Sequence, residues 1–217
     1  MTSTESKIVK NTTIPLLKSL GIRRIKYLIL THGDADHMGE ALYLINNFKV
    51  ENIIINLGNV NFLEKKLIKE RPDVIHGHEG RQINCGKFKL IQLNEEYNDE
   101  NASSQIYYVN IENINILLTG DASTKSEINL INKYELPQID ILKVGHHGSK
   151  TSSSKLFINA INPKYSIISV GKDNKFNHPN KDVLNILENS KIYRTDIDGS
   201  VMFKFENNKL KIETCAP

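Results

Sequence analysis

The sequence predicts a mixed α/β fold of two sheets with helices on their outer faces. Three observations predict it. Short β-branched runs alternate with amphipathic stretches along the chain. A central pair of apolar runs, separated by a turn at Asn113, reads as a hairpin that divides the chain into two mixed halves. Several apolar runs end abruptly in ionisable residues, and the C-terminal ends of strands are where α/β folds place their sites.

The elements follow in chain order. The apolar spacing predicts a helix over Thr13–Leu20, which Gly21 stops. Lys26–Leu30 reads as a strand, because Tyr27-Leu28-Ile29-Leu30 is an unbroken apolar run. A helix over Met38–Phe48, a strand over Asn52–Asn56 and a helix over Asn61–Glu70, halted before Pro72, follow. Three strands come next, Lys87–Leu93, Ile106–Asn110 and Ile114–Leu118. A helix over Thr124–Tyr134, a strand over Ile139–Val144, a helix over Ser153–Ile161 and a strand over Tyr165–Val170 then alternate. Pro179 suits the start of a helix over Asn180–Asn189. The chain closes with strands at Lys191–Tyr193, Val201–Phe205 and Lys209–Glu213, the last two joined at Asn207–Asn208.

Composition narrows the class. The chain has 217 residues, 39% hydrophobic and 24% charged, which is ordinary for a globular protein. That length buries a core without staples. Cys85 and Cys215 are too few and too far apart for a disulfide framework or a thiolate metal site. No apolar run approaches the roughly 20 residues of a membrane helix, and Met1 to Asn11 lacks a signal-peptide stretch. The expectation is one soluble domain over residues 1–217, cytoplasmic by default. The net charge of +3 is unevenly spread: Leu142 to Asp182 holds seven lysines against two aspartates. Such a segment favours an anionic substrate, and solvated lysines on loops and helix ends account for it equally well.

Several segments carry chemistry. Thr31-His32-Gly33-Asp34-Ala35-Asp36-His37-Met38-Gly39 sets two histidines and two aspartates within six residues after an apolar strand. Unpaired buried charge is costly, whereas imidazole and carboxylate together suit Zn, Mn or Fe. A capped polar turn needs one aspartate, not this set. Leu117-Leu118-Thr119-Gly120-Asp121 ends another strand in a carboxylate able to bridge two ions or to cap the next helix. Ile139 to Ser149 ends a third in His146-His147 between glycines. Asn174-Lys175-Phe176-Asn177-His178-Pro179 supplies His178 as a substrate contact or acid, or as a surface-loop histidine. Arg194, in Tyr193-Arg194-Thr195-Asp196-Ile197-Asp198-Gly199, suits a phosphate, while Asp198-Gly199 reads as a hairpin turn. His76 and His78 form a second, weaker metal-pair pattern in an ordinary loop.

The order H-x-D-x-D-H, T-G-D, K-V-G-H-H-G-S resembles the metallo-β-lactamase superfamily of binuclear hydrolases. Ser169–Pro179 and Tyr193–Ser200 narrow the resemblance to the C-terminal domain of ComEC-type competence proteins, the DNA-uptake channel family. It spans about Thr13 to Pro217. The resemblance implies a four-layer αββα sandwich, here lacking the first strand pair of that branch, roughly 40 residues. It implies two divalent ions, Zn or Mn. His32 and Asp34 would hold the first, and Asp36, His37 and His146 or His147 the second, with a preference for His146. Asp121 would bridge them. Asp34 stands where the superfamily usually has a histidine. The usual third histidine of the first site is missing from the stretch Asp99 to Ser104, where Asn101 and Ser104 keep the branch's N-x-x-S spacing.

The resemblance further implies a nuclease acting in DNA uptake. Asp36, Asp121 and His178 would be the catalytic groups, and Ser149, Lys150, Asn101, Ser104 and Arg194 the substrate contacts. DNA would be the substrate, with a membrane channel protein or domain as a possible partner and membrane association in that setting. Two other classes stay open. The same site would serve a small phosphodiester, a phosphocholine ester, a thioester or a lactam. A truncated, inactive domain would only bind metal, DNA or a partner.

Overall fold

The computed structural model describes residues 8–56, 58, 60–86, 88–93, 101, 103–206 and 209–216. The expected turn at Asn207–Asn208, Lys87 at the start of a predicted strand, and Asp99, Glu100 and Ala102 of the central loop lie outside them.

The first half builds a parallel sheet of β1 (Ile25–Ile29), β2 (Val50–Ile55) and β3 (Ile75–His76), in that order. Helices α1 (Ile14–Ser19), α2 (Ala35–Met38), α3 (Ala41–Asn47) and α4 (Phe62–Glu70) accompany it. Strand periodicity sorts the faces of β2. Ile53 and Ile55 pack with Met38, Ala41 and Leu67 of the helices, whereas Ile54 points the other way, to Ile83 and Tyr107 of the second sheet. The capping box of α4 explains its start: the Asn61 side chain accepts from the amides of Leu63 and Glu64, and Glu64 accepts from the Asn61 amide.

The second half is a seven-stranded sheet of β4 (Gln82–Cys85), β5 (Phe88–Gln92), β6 (Tyr107–Ile111), β7 (Ile114–Leu118), β8 (Ile141–Lys143), β9 (Tyr165–Ile168) and β10 (Lys191–Arg194). Its strand order runs from β10 down to β4. β4 to β7 are antiparallel neighbours, with β6 and β7 joined by a tight turn at Glu112–Asn113, and β7 to β10 are parallel. Parallel pairing requires crossovers, which α5 (Thr124–Lys133), α6 (Lys155–Ile161) and α7 (Lys181–Ile186) supply. Leu130, Phe157, Ile161, Val183 and Leu187 bury their faces on Leu117, Leu142 and Ile168. A short α8 (Thr195–Asp198) leads into the hairpin of β11 (Ser200–Glu206) and β12 (Lys209–Cys215), whose Phe203 meets the rings of Tyr165 and Tyr193. The result is the helix–sheet–sheet–helix layering the sequence predicts.

Three local differences are instructive. The expected helix over Met38–Phe48 is two helices, broken at Gly39–Glu40. The Glu40 carboxylate leaves the helical face and accepts from the amides of Ile8 and Val9. β3 and β4 are strands that composition hides, since they are short and interleaved with polar residues. Asp198-Gly199, expected as a hairpin turn, instead ends the short helix α8, in which Asp198 Oδ2 accepts from the Arg194 amide. Among the described residues no helix is long and apolar enough to cross a membrane.

Candidate metal centre

The centre is assembled at strand ends. β1 runs into Thr31 and His32, and α2 opens at Asp34, whose extended backbone turns Asp36 and His37 onto the first helical turn. Gln105 ties this loop to the second sheet: its amide N–H donates to Thr31 O (2.9 Å) and its side chain to Leu30 O (2.9 Å). The Asn61 side chain donates to Gly33 O at 2.6 Å. β7 delivers Asp121 through Gly120, which has φ +53° and lies so close to Ser104 Oγ and Thr31 that a Cβ has no room. β8 delivers the histidine pair through Gly145–Gly148, where His146 (φ 46°) and His147 (φ 53°) take left-handed backbone conformations. Such non-glycine residues cost roughly 1–2 kcal/mol each. Here the strained turn projects His147 back over the centre.

Two groups of donors result. His32, His37 and Asp121 each offer one ligand atom, all within 4.8 Å of one another, and so do Asp36, His37 and His147. His37 Nε2 lies 3.1 Å from Asp121 Oδ1 and 3.4 Å from His147 Nε2. His147 Nε2 lies 3.3 Å from Asp36 Oδ2 and 3.6 Å from Asp121 Oδ2. Asp34 stays outside both groups, with its Oδ2 3.6 Å from His32 Nε2.

These donors fit divalent ions. His147 Nδ1 donates to Ser169 O (2.6 Å), which turns Nε2 toward the Asp36 and Asp121 carboxylates. His32 Nδ1 lies 3.1 Å from Thr31 Oγ1 and 3.2 Å from Ser104 Oγ, while its buried Nε2 has no hydrogen-bond partner among the described residues. Asp121 Oδ1 is buried beside His37 Nε2. An orphaned buried polar atom is costly, and His32 Nε2 is one, on a ring grouped with His37 and Asp121. Burial, helped by nearby His37, pushes the His32 pKa down to about 4, so its imidazole is neutral, the ligating form. For Asp121, burial pushes the pKa up, but His37 and the Lys143 ammonium outweigh it and hold the carboxyl well below the usual range.

The remaining predicted residues fall in several places. His146 Nδ1 lies 3.1 Å from Thr151 Oγ1, and its Nε2 is 3.9 Å from Asp121 Oδ2. It joins neither donor group, so the geometry favours His147 as the ligand. His178 stands behind His146, with ring centroids 5.9 Å apart. Ser104 is fully buried, and its Oγ accepts from the Asp121 amide at 2.8 Å. It braces two donors rather than facing solvent. Asn101 Oδ1 is buried, with no hydrogen-bond partner among the described residues. Ser149 is buried, with its hydroxyl 3.0 Å from Thr151 Oγ1, while Lys150 is exposed. The Arg194 guanidinium is occupied by Asp196, at 3.0 and 2.5 Å. His76 and His78 belong to neither donor group.

Sequence reasoning missed three contributors. The Thr31 hydroxyl meets His32 and His37 together. Lys143 donates to Gly120 O at 3.0 Å and stands 3.8 Å from Asp121 Oδ1. The Ser169 carbonyl fixes His147. Thr31 and Lys143 lie inside the quoted motifs, but only their neighbours looked like ligands.

A family model for the metallo-β-lactamase superfamily matches residues 1–172. The chain belongs to the metallo-β-lactamase superfamily. It is 35% identical over 204 residues to ComE operon protein 3 of Bacillus subtilis, covering 89% of this chain and 26% of that protein. It is 33% identical over 205 residues to competence protein ComA of Neisseria gonorrhoeae, covering 92% and 28%. The chain thus spans little more than a quarter of these curated relatives. Among solved structures it is similar to CmlA, a diiron β-hydroxylase from Streptomyces venezuelae, with TM-score 0.55 and 14% identity over 79% of this chain and 44% of that one. It is also similar to the metallo-β-lactamase fold protein YhfI from Bacillus subtilis, with TM-score 0.53 and 11% identity over 82% and 79%. At such identities the likeness carries the fold alone. This superfamily hydrolase is related to competence proteins, and its candidate ligands are those of a divalent-metal site.

Proposed function

We propose that this chain is a phosphodiesterase that hydrolyses DNA with two divalent ions, Zn or Mn. The observation that carries the reading is the convergence of His32, Asp36, His37, Asp121 and His147 from strand ends of both sheets. His32 would hold one ion, with Asp34 beside it, and Asp36, His37 and His147 the other, with the Asp121 carboxylate shared between them. Bound ions supply a water of lowered pKa and positive charge against the phosphoryl oxygens. Carboxylates make the set harder than an all-imidazole site, which favours Mn alongside Zn.

The chain's own groups do the rest. Asp36, with 61% of its side chain exposed, would also orient the attacking water. Lys143 keeps Asp121 ionised. His178, beyond His146, would meet the leaving oxygen. Lys150 is exposed for a backbone phosphate. The names of the competence relatives support DNA as the substrate, and so does the excess of five positive charges over Leu142 to Asp182.

The test is metal-dependent cleavage. The chelator-stripped chain should regain cleavage of labelled single- or double-stranded DNA when Mn²⁺ or Zn²⁺ is restored. Asp36→Ala should lose it while keeping the wild-type circular dichroism, because an exposed side chain contributes little to the core. Unchanged cleavage in Asp36→Ala would overturn the site. Turnover of a small aryl phosphodiester without DNA cleavage would move the substrate to a small ester.

A further inference from the structure

We propose that Phe176, stacked on His178 at the rim of the centre, is a platform for an unpaired nucleobase, which makes single-stranded DNA the substrate form. The proposal rests on the phosphodiesterase reading above. The loop after β9 is built to hold two rings. Asn174 donates to Gly171 O (3.1 Å) and His178 O (2.7 Å), and its Oδ1 accepts from the His178 amide (2.9 Å). That turn leaves Phe176 64% exposed and stacked on His178, with ring centroids 5.7 Å apart and planes 20° from parallel. His178 in turn meets His146 edge-on, and His146 Nε2 lies 3.9 Å from Asp121 Oδ2. A continuous run of rings therefore leads from solvent to the metal centre.

A lone exposed phenyl needs no explanation. This one is braced by an asparagine turn, continues a ring stack and ends beside the candidate metal ligands. Lys175 Nζ lies 4.8 Å from its ring centroid, and Lys172 is exposed four residues before it, so positive charge for phosphates accompanies the aromatic face. Stacking on an aromatic side chain needs a base with a free face, which duplex bases lack. A choline group, the other ligand aromatic faces favour, is disfavoured by the ammonium already on this ring.

The chain has no tryptophan, so Phe176→Trp introduces a single indole reporter. The full chain, supplied with Mn²⁺, is titrated with a hydrolysis-resistant phosphorothioate oligothymidylate and with an abasic oligomer of equal length. Anisotropy should show wild type preferring the oligothymidylate by roughly tenfold. Phe176→Ala should lose that preference and keep its affinity for the abasic strand. In Phe176→Trp the preference should survive, with the indole quenched by the oligothymidylate alone. Equal oligothymidylate affinity in Phe176→Ala and wild type, or an unquenched indole, overturns the platform. DNA cleavage, scored separately, then still stands. Wild type that binds neither oligomer overturns the platform and DNA as the substrate together.

Discussion

Ser104 shows how a residue's place decides its role. The N-x-x-S spacing marks it as a substrate contact, yet its hydroxyl is sealed between His32 Nδ1 and the Asp121 amide. Spacing reveals which residue types meet at a loop; it cannot reveal which face of the loop is covered. The same limit hid Thr31 and Lys143, whose partners come from other strands or a later turn. Histidines and aspartates were legible because four ionisable groups at a strand end have few other uses. Ser104→Ala leaves the amide of buried Asp121 unpaired and leaves the His32 ring with the Thr31 hydroxyl alone. Groups that orient metal ligands are worth about 10- to 100-fold in affinity, and an unpaired buried donor costs about 1–3 kcal/mol. Titration calorimetry with Mn²⁺ and the urea midpoint should both register the loss. A variant with wild-type metal affinity would remove Ser104 from the centre's support.

Strand-to-loop steps are the elements that make the site. The three apolar runs that end in His32, Asp121 and the histidine pair are all strands, β1, β7 and β8, with the ligands in the residues that follow. Their existence was legible from apolar periodicity, but the break between α2 and α3 was not. An apolar stripe runs on through Gly39 and Glu40, and the partners that capture Glu40 lie some thirty residues earlier. The turn at Gly148 has two independent reasons for glycine. Its φ is +80°, and a Cβ would stand 2.6 Å from Pro179 Cβ. Gly148→Ala should therefore destabilise the fold by about 2–4 kcal/mol through left-handed strain and overpacking. It should also disturb His147, one residue away, and with it the Asp36–His37–His147 group. Urea unfolding with parallel metal titration checks both effects. A stable variant with intact metal binding would show that the turn tolerates another path.

At the scale of the molecule, two buried polar features join separate layers. Glu127 on α5 accepts from the amides of Ser153 (2.5 Å) and Ser154 (2.9 Å), tying α5 to the start of α6. Burial pushes its pKa up from 4.5 to about 7 against those two hydrogen bonds. The folded chain thus keeps a proton that the unfolded chain releases near pH 4.5. The resulting stability is complete below that pH and is lost as the pH rises through about 7. Relative to Glu127→Gln, wild type should lose stability between about pH 5 and pH 8, by no more than about 3 kcal/mol. Urea midpoints across that range that stay parallel would contradict it. The second feature is the metal centre. His32, Asp36 and His37 follow β1 of the small sheet, while Asp121 and His147 follow β7 and β8 of the large one. Ions held there cross-link two layers that otherwise meet through apolar contacts such as Ile54 with Ile83 and Tyr107. The unfolded chain separates these ligands, so binding is linked to folding. Each ion at a hundred times its dissociation constant should add about 2.7 kcal/mol. Mn²⁺ should therefore raise the melting temperature and chelator lower it, and Asp121→Ala, which removes a shared carboxylate, should abolish most of the shift. A thermal scan in which added metal leaves wild type unmoved, while calorimetry shows the ion bound, would mean that the denatured ensemble binds the ion as tightly as the folded chain and that the centre does not cross-link the layers.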